Sequence, residues 1–253
     1  MSQRDATTSK ISFIYAEIIF CIFGCATIDK YRNEILKIKD TWGIKAASLK
    51  YKILFFLGEE KTTLIGDDYI YLDGVGNDYS SASDKQNLGL KYIYERYVCD
   101  FVYICGTDTY VVIDNLKSKI KDWNKNENIC IGGHGDFRKI NNIETYFHSG
   151  GPGLIISYKS LSLIYDELEE MLNNWKKEKK DEDLNNSCDV AICYYLKKKT
   201  CKFIKEDRLF FHCNYLGYPC HEGLKTGIIA CHNMKLIDFD DYDKLLANST
   251  TDS

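Results

Sequence analysis

Proline is almost missing from this sequence, with 2 in 253 residues, which excludes a proline-rich linker or tail. The phosphate-cradling patterns G-x-G-x-x-G and G-K-[ST] are absent, so a dinucleotide-binding dehydrogenase or a P-loop enzyme is disfavoured. No two cysteines have C-x-x-C spacing, which argues against a structural zinc site. Basic excess is lacking too. A net charge of −4 and a pI near 5.8 argue against nucleic acid as the main partner, because phosphate binding needs a positive surface. A local basic patch for a diphosphate is still compatible with that balance. Nor is there an uninterrupted membrane-spanning run. Glu17 breaks the apolar stretch 11–28, and the portion after Glu17 is too short to cross a bilayer. Cys25, Ala26 and Thr27 have the small-residue look of a signal-peptide cleavage site, but the segment from Ile18 reads better as a buried strand.

What the sequence does contain is ordinary for a soluble globular protein. Hydrophobic residues make up 45% and charged residues 28%, and the length allows a sizeable core. Eleven cysteines are present, six of them (Cys188, Cys193, Cys201, Cys213, Cys220 and Cys231) close together. Two readings stay open: disulfides in an oxidising compartment, or small buried hydrophobes in a reduced one.

Short apolar runs alternate with helical patterns in the first half, the mark of an α/β fold with a mostly parallel sheet covered by helices. Strands are expected at 18–27, 51–57, 69–72, 100–105 and 128–133. Asp29 is expected to cap a helix whose spacing runs through Ile35, Ile38 and Trp42. Further helices are expected at 83–97, capped by Ser83 or Asp84, and at 111–123, 160–175 and 188–199. Segment 134–146 reads as a loop or hairpin and 154–157 as an apolar stretch. The charged run 176–186 reads as a solvated loop or helix end, the Cys-rich part as loops and short strands, and the last ten or so residues as frayed.

In an open parallel sheet, ligands bind beyond the carboxyl ends of the strands. Asp108 comes just after the strong strand at 100–105, where a carboxylate serves either as a turn residue or as a divalent-cation ligand. Gly150-Gly151-Pro152-Gly153 permits close backbone approach to a ligand, or is simply a tight loop before a strand. Asp189 opens an apolar helix, as a cap or as a general base. His232 is either structural or a metal ligand.

The order of these features is what gives them meaning. Ile38-Lys39-Asp40-Thr41-Trp42-Gly43 resembles the K-x-T-W helix of the Fringe-like and core 1 β1,3-galactosyltransferase group. Tyr79-x-x-Ala82-x-x-Lys85 resembles that group's Y-x-x-L-x-x-K helix, and Phe101–Leu116 its W-x-x-x-x-D-D-D-T-Y-V-x-x-x-N-L block. His148–Ser157 is similar to its S-G-G-A-G-Y-V-L-S segment, Cys188–Ala191 to E-D-L-A, and Ala230-Cys231-His232 to S-F-H.

This resemblance implies one GT-A-like domain over 1–253, with a nucleotide-binding half (11–123), an acceptor and catalytic half (124–235) and a tail (236–253). It further implies an inverting, metal-dependent hexosyltransferase of β1,3 type, taking a UDP-sugar donor to a glycan or glycoprotein acceptor, with galactose the first choice. Asp108 and His232 would hold Mn²⁺, and Asp189 would be the base. Thr27, Lys85, Thr107, Asp108, Gly150, Gly151 and Gly153 would contact the donor. A homodimer is compatible with the resemblance. The family is normally tethered in the Golgi or lies in the ER lumen, whereas no anchor is read in this chain, so a soluble domain is expected and its compartment stays open. The first two aspartates of D-D-D are Gly106 and Thr107 here, so the alternative is a non-catalytic chaperone or binding protein.

Overall fold

The structure is a computed structural model that describes residues 13–60, 62–178, 184, 187–214 and 227–249. The first half runs β1 (Ile14–Phe23), α1 (Asp29–Asp40), α2 (Trp42–Ser48), β2 (Lys52–Leu57), β3 (Tyr69–Tyr71), α3 (Ala82–Arg96), β4 (Tyr97–Cys105), β5 (Tyr110–Val111) and α4 (Ile113–Lys119). The second half runs β6 (Ile129–Gly132), β7 (Asp136–Ile140), β8 (Ile143–Phe147), β9 (Leu154–Ser157), α5 (Tyr158–Ile164), α6 (Met171–Glu178), α7 (Cys188–Lys198), β10 (Lys202–Lys205), β11 (Phe210–Phe211), β12 (Ala230–Cys231) and α8 (Leu236–Ser249).

A seven-stranded sheet forms in the order β10-β6-β9-β4-β1-β2-β3, and only β9 runs antiparallel to its neighbours. Its central strands are apolar on both faces because both faces are covered. Ile18, Phe20 and Ile22 of β1 join Phe55, Phe101 and Tyr103 in one core with Ile35, Ile38, Trp42, Leu116, Phe239 and Tyr242 of the helices. Ile19 and Cys21 face the other way, into a core with Phe56, Val102, Leu90, Ile93, Leu161, Trp175 and Ile192. A small second sheet, β11-β12-β5, and the β7–β8 hairpin complete the molecule among the described residues. Among those residues no helix is long and apolar enough to cross a membrane.

Several local expectations need correction. The first strand ends at Phe23, not Thr27, and the segment after it gives Gly24, Cys25 and Ile28 to the lining of a cleft. Ile28 is the N-cap of α1 and no side chain caps it, so Asp29 instead accepts a hydrogen bond from Arg32 at 2.5 Å. Thr41, at φ −120° and ψ −114°, divides the first helical segment before Trp42. Ser81 precedes α3 without a side-chain cap, displacing Ser83 and Asp84 from that role. The helix expected over 111–123 begins only at Ile113, because Tyr110 and Val111 pair with β12. The helix expected over 160–175 starts at Tyr158, where Ser157 Oγ accepts from the Ser160 amide, and a 3-10 turn at Tyr165–Glu167 splits it.

The tail also differs. Residues 236–249 form α8, and Phe239 and Tyr242 are fully buried beside Tyr110. Residues 250–253, most of the polar run 176–186, and Cys220 lie outside the described residues. The disulfide reading fails for Cys21, Cys25, Cys99, Cys105, Cys130, Cys188, Cys193, Cys201 and Cys231, which all carry free thiols. All of these but Cys188 are buried, which is the small-hydrophobe role.

Candidate donor and catalytic site

A cleft of about 760 Å³ opens at the carboxyl ends of β1 and β4, a size typical of small-ligand sites. Its walls bring together Lys85, Thr107, Asp108, Gly150, Gly151, Asp189 and His232 from across the chain. Of the residues expected to contact a donor, Thr27 and Gly153 stand outside it. Thr27 Oγ1 instead lies 3.3 Å from Cys25 Sγ. Gly153 has φ +85°, and a Cβ there would lie 2.4 Å from Tyr103 Cε1, so its glycine answers to backbone geometry and the core.

Backbone pairing sets the first half of the site. Tyr110 pairs antiparallel with Cys231, and the Met234 amide donates to the Asp108 carbonyl at 3.0 Å. These contacts place Asp108 Oδ2 3.3 Å from His232 Nε2, with both side chains partly open to the cleft. Burial opposes charge on His232, but the Asp108 hydrogen bond and negative charge outweigh it and hold the imidazole above its ordinary pKa. The turn itself is fixed from two sides. Trp42 Nε1 donates to the Thr109 carbonyl at 3.3 Å, and Thr109 Oγ1 donates to the Gly151 carbonyl at 2.8 Å. Three of the segments that carried the family resemblance are thus tied together by hydrogen bonds.

The Gly150–Gly153 loop meets the rest of the site by close approach. A Cβ on Gly151 would lie 2.4 Å from His232 Nδ1. The Gly150 amide donates to Asp189 Oδ2 at 2.9 Å, and the Val190 amide donates to Asp189 Oδ1 at 2.8 Å. Asp189 sits in the first turn of α7 and is half-buried. Burial raises its carboxyl pKa, while the two amide donors pull against that rise.

Lys85, also in the lining, is a buried cation. It is 2% exposed, and among the described residues its Nζ donates only to Asn77 Oδ1, at 3.4 Å. Burial pushes the ammonium pKa down, against smaller opposing pulls from Cys25 and Asp78. A buried ammonium with no carboxylate in salt-bridge contact among the described residues is suited to an anionic ligand.

Sequence reasoning missed several cleft residues, notably Lys30, Tyr31, Asn77 and Tyr79 as lining groups. It also missed Glu34, a 2% exposed carboxylate on α1 that accepts from Thr107 Oγ1 at 2.5 Å. The available signal was a carboxylate next to Ile35, on the edge of the inward stripe. Among the described residues no group of three or more His, Cys, Asp or Glu is arranged to hold a metal ion.

No family model matches the sequence, and no curated protein matches it. Solved structures do match. The chain is similar to a glycosyltransferase involved in glycosylation of the major capsid of PBCV-1, with 12% identity and a TM-score of 0.53, covering 90% of this chain and 99% of that one. It is also similar to galactosyltransferase LgtC in complex with donor and acceptor sugar analogues, at 14% identity, 85% and 86% coverage and a TM-score of 0.48. A third match is apo-form glycosyltransferase GlyE of Streptococcus pneumoniae TIGR4, at 13% identity, 95% and 64% coverage and a TM-score of 0.48. At these identities the likeness concerns architecture, and the chain has the α/β fold of GT-A-like glycosyltransferases.

Proposed function

We propose that this protein is a glycosyltransferase that moves a hexose from a UDP-sugar to a hydroxyl of a glycan or glycoprotein. One observation carries the reading: the Asp108–His232 pair shares a cleft with the buried ammonium of Lys85, which has no carboxylate in salt-bridge contact among the described residues. A metal–diphosphate has that same bipolar character, and the fold places the cleft where α/β sheets take nucleotides.

The donor set fits a small dication. An octahedral ion with bonds of about 2.1 Å keeps neighbouring ligands about 3 Å apart, close to the 3.3 Å between Asp108 Oδ2 and His232 Nε2. Asp108 and His232 would be the residues that hold the ion, and among the described residues no cluster of three or more His, Cys, Asp or Glu is arranged to hold one. Mn²⁺ held there would offset negative charge on a departing UDP.

The remaining work falls to the chain's own groups. Lys85 would neutralise charge on the diphosphate from within the same cleft as Asp108. Asp189, with a raised pKa, accepts the proton of the attacking acceptor hydroxyl, which fits an inverting displacement. The Gly150 amide holds that carboxylate in position. Galactose as the sugar and a β1,3 linkage rest on the sequence resemblance alone.

Incubation with a panel of UDP-sugars and Mn²⁺ tests the proposal. Release of UDP with at least one donor is expected, and silence with every donor sinks it. Replacement of two acidic positions by Gly106 and Thr107 favours a second reading, a non-catalytic binding or chaperone protein. Thermal shifts separate the two readings, because stabilisation by UDP that needs Mn²⁺ is expected only of an intact donor site.

A further inference from the structure

Where the related block carries a middle aspartate, this chain has Thr107, and Thr107 reaches a carboxylate all the same. Its Oγ1 donates to Glu34 Oε2 at 2.5 Å, and both residues are buried, at 3% and 2% exposure. Glu34 comes from α1, 73 positions earlier in the chain. Its other oxygen, Oε1, faces Lys30 Nζ at 3.8 Å. Lys30 and Thr107 both line the cleft, whereas Glu34 itself does not.

A carboxylate that deep costs free energy unless it is hydrogen-bonded or paired, and Glu34 has Thr107 on one oxygen and Lys30 near the other. Burial raises the Glu34 pKa, and the Thr107 hydrogen bond counters the rise by stabilising the charged form. The Asp108 charge adds a smaller upward push and Lys30 a downward one. A cation held at Asp108 would favour the charged form of Glu34 by Coulomb attraction.

We infer that Glu34 is an outer-sphere positioning carboxylate for a divalent cation at Asp108 and His232, supplying from α1 the charge that Gly106-Thr107 lacks. It holds the Thr107 side chain, and so fixes the turn that presents Asp108. The inference rests on the donor-site reading above and extends it to a residue outside the cleft.

The test is Mn²⁺ uptake in the presence of UDP, tracked by loss of the free-ion electron paramagnetic resonance signal, with melting temperature as a check on folding. Glu34→Gln keeps an acceptor for Thr107 and removes only the charge. Its Mn²⁺ affinity is expected to fall about 10-fold or more, the size of other outer-shell losses. Thr107→Val is expected to weaken Mn²⁺ as well, and Thr107→Ser, which restores the hydroxyl, to return it to the wild-type value. Wild-type affinity in both Glu34→Gln and Thr107→Val overturns the inference while leaving the donor site standing. A wild-type protein that takes up no Mn²⁺ with UDP sinks the donor-site reading, and this inference with it.

Discussion

His148 sets a limit on the acid stability of this fold. It is 0% exposed, and its Nε2 lies 3.2 Å from the Cys130 carbonyl, so Nε2 carries the hydrogen and donates. Among the described residues its Nδ1 has no hydrogen-bond partner, which leaves an added proton there without an acceptor. Burial is the main cause that lowers its pKa from 6.5 to about 4, with the Cys130 bond and Asp207 pulling up and Lys205 pushing down. The folded pKa is below the unfolded one, so the contribution is complete above pH 6.5 and is lost as pH falls from 6.5 towards 4. At pH 5 the loss is about 2 kcal/mol relative to a residue that does not titrate. With an m-value of about 2–3 kcal/mol/M, that lowers the urea midpoint by about 0.7–1 M. Urea unfolding from pH 7.5 to 4.5 measures it, with His148→Gln as the reference because a glutamine amide can still donate to Cys130. Carboxylates titrate in both proteins, so the difference in slope isolates His148. Parallel profiles for the two proteins refute the reasoning.

The cleft and the core supply further expectations. Asp189→Asn is expected to cut the transfer rate by about 100-fold or more while Mn²⁺-dependent UDP binding in thermal shifts stays unchanged. Lys85→Met removes the cation facing the diphosphate, and UDP titrations are expected to show affinity at least about 10-fold weaker, with less salt dependence. Gly151→Ala sets a methyl 2.4 Å from His232 Nδ1, so it is expected to weaken Mn²⁺ uptake more than UDP binding without metal. Phe239→Ala empties a fully buried site on α8 and is expected to cost about 3–5 kcal/mol in urea unfolding.

The central strands were legible because their signal is local. Residues 101–105 are apolar on both sides, and a buried parallel strand asks for little else. Trp42 and Thr109 were legible as separate pattern matches, and the structure adds the hydrogen bond that links them. Lys85, Asp108, Asp189 and His232, singled out along the chain as candidates, all line one cleft. Helix α8 was illegible for the opposite reason. Its acidic composition reads as solvated, and only packing against Tyr110, more than a hundred residues earlier, makes Phe239 and Tyr242 core. Gly153 looked like a ligand-approach glycine because a positive φ leaves no other trace in the sequence.

Glu34 shows where a one-dimensional comparison of motifs falls short. Position by position, Gly106-Thr107-Asp108 has one carboxylate where the block it resembles has three, and the block alone suggests a site poorer by two charges. The electrostatic field at Asp108, however, depends on distance and burial and not on sequence separation. A buried carboxylate one hydrogen bond away through Thr107 acts at short range with little screening by solvent. On the inference drawn above, Glu34 would supply part of that charge from a helix that the motif does not include. What decides whether this cleft takes a metal–diphosphate is that local field, which Glu34→Gln changes by one charge with almost no change in shape.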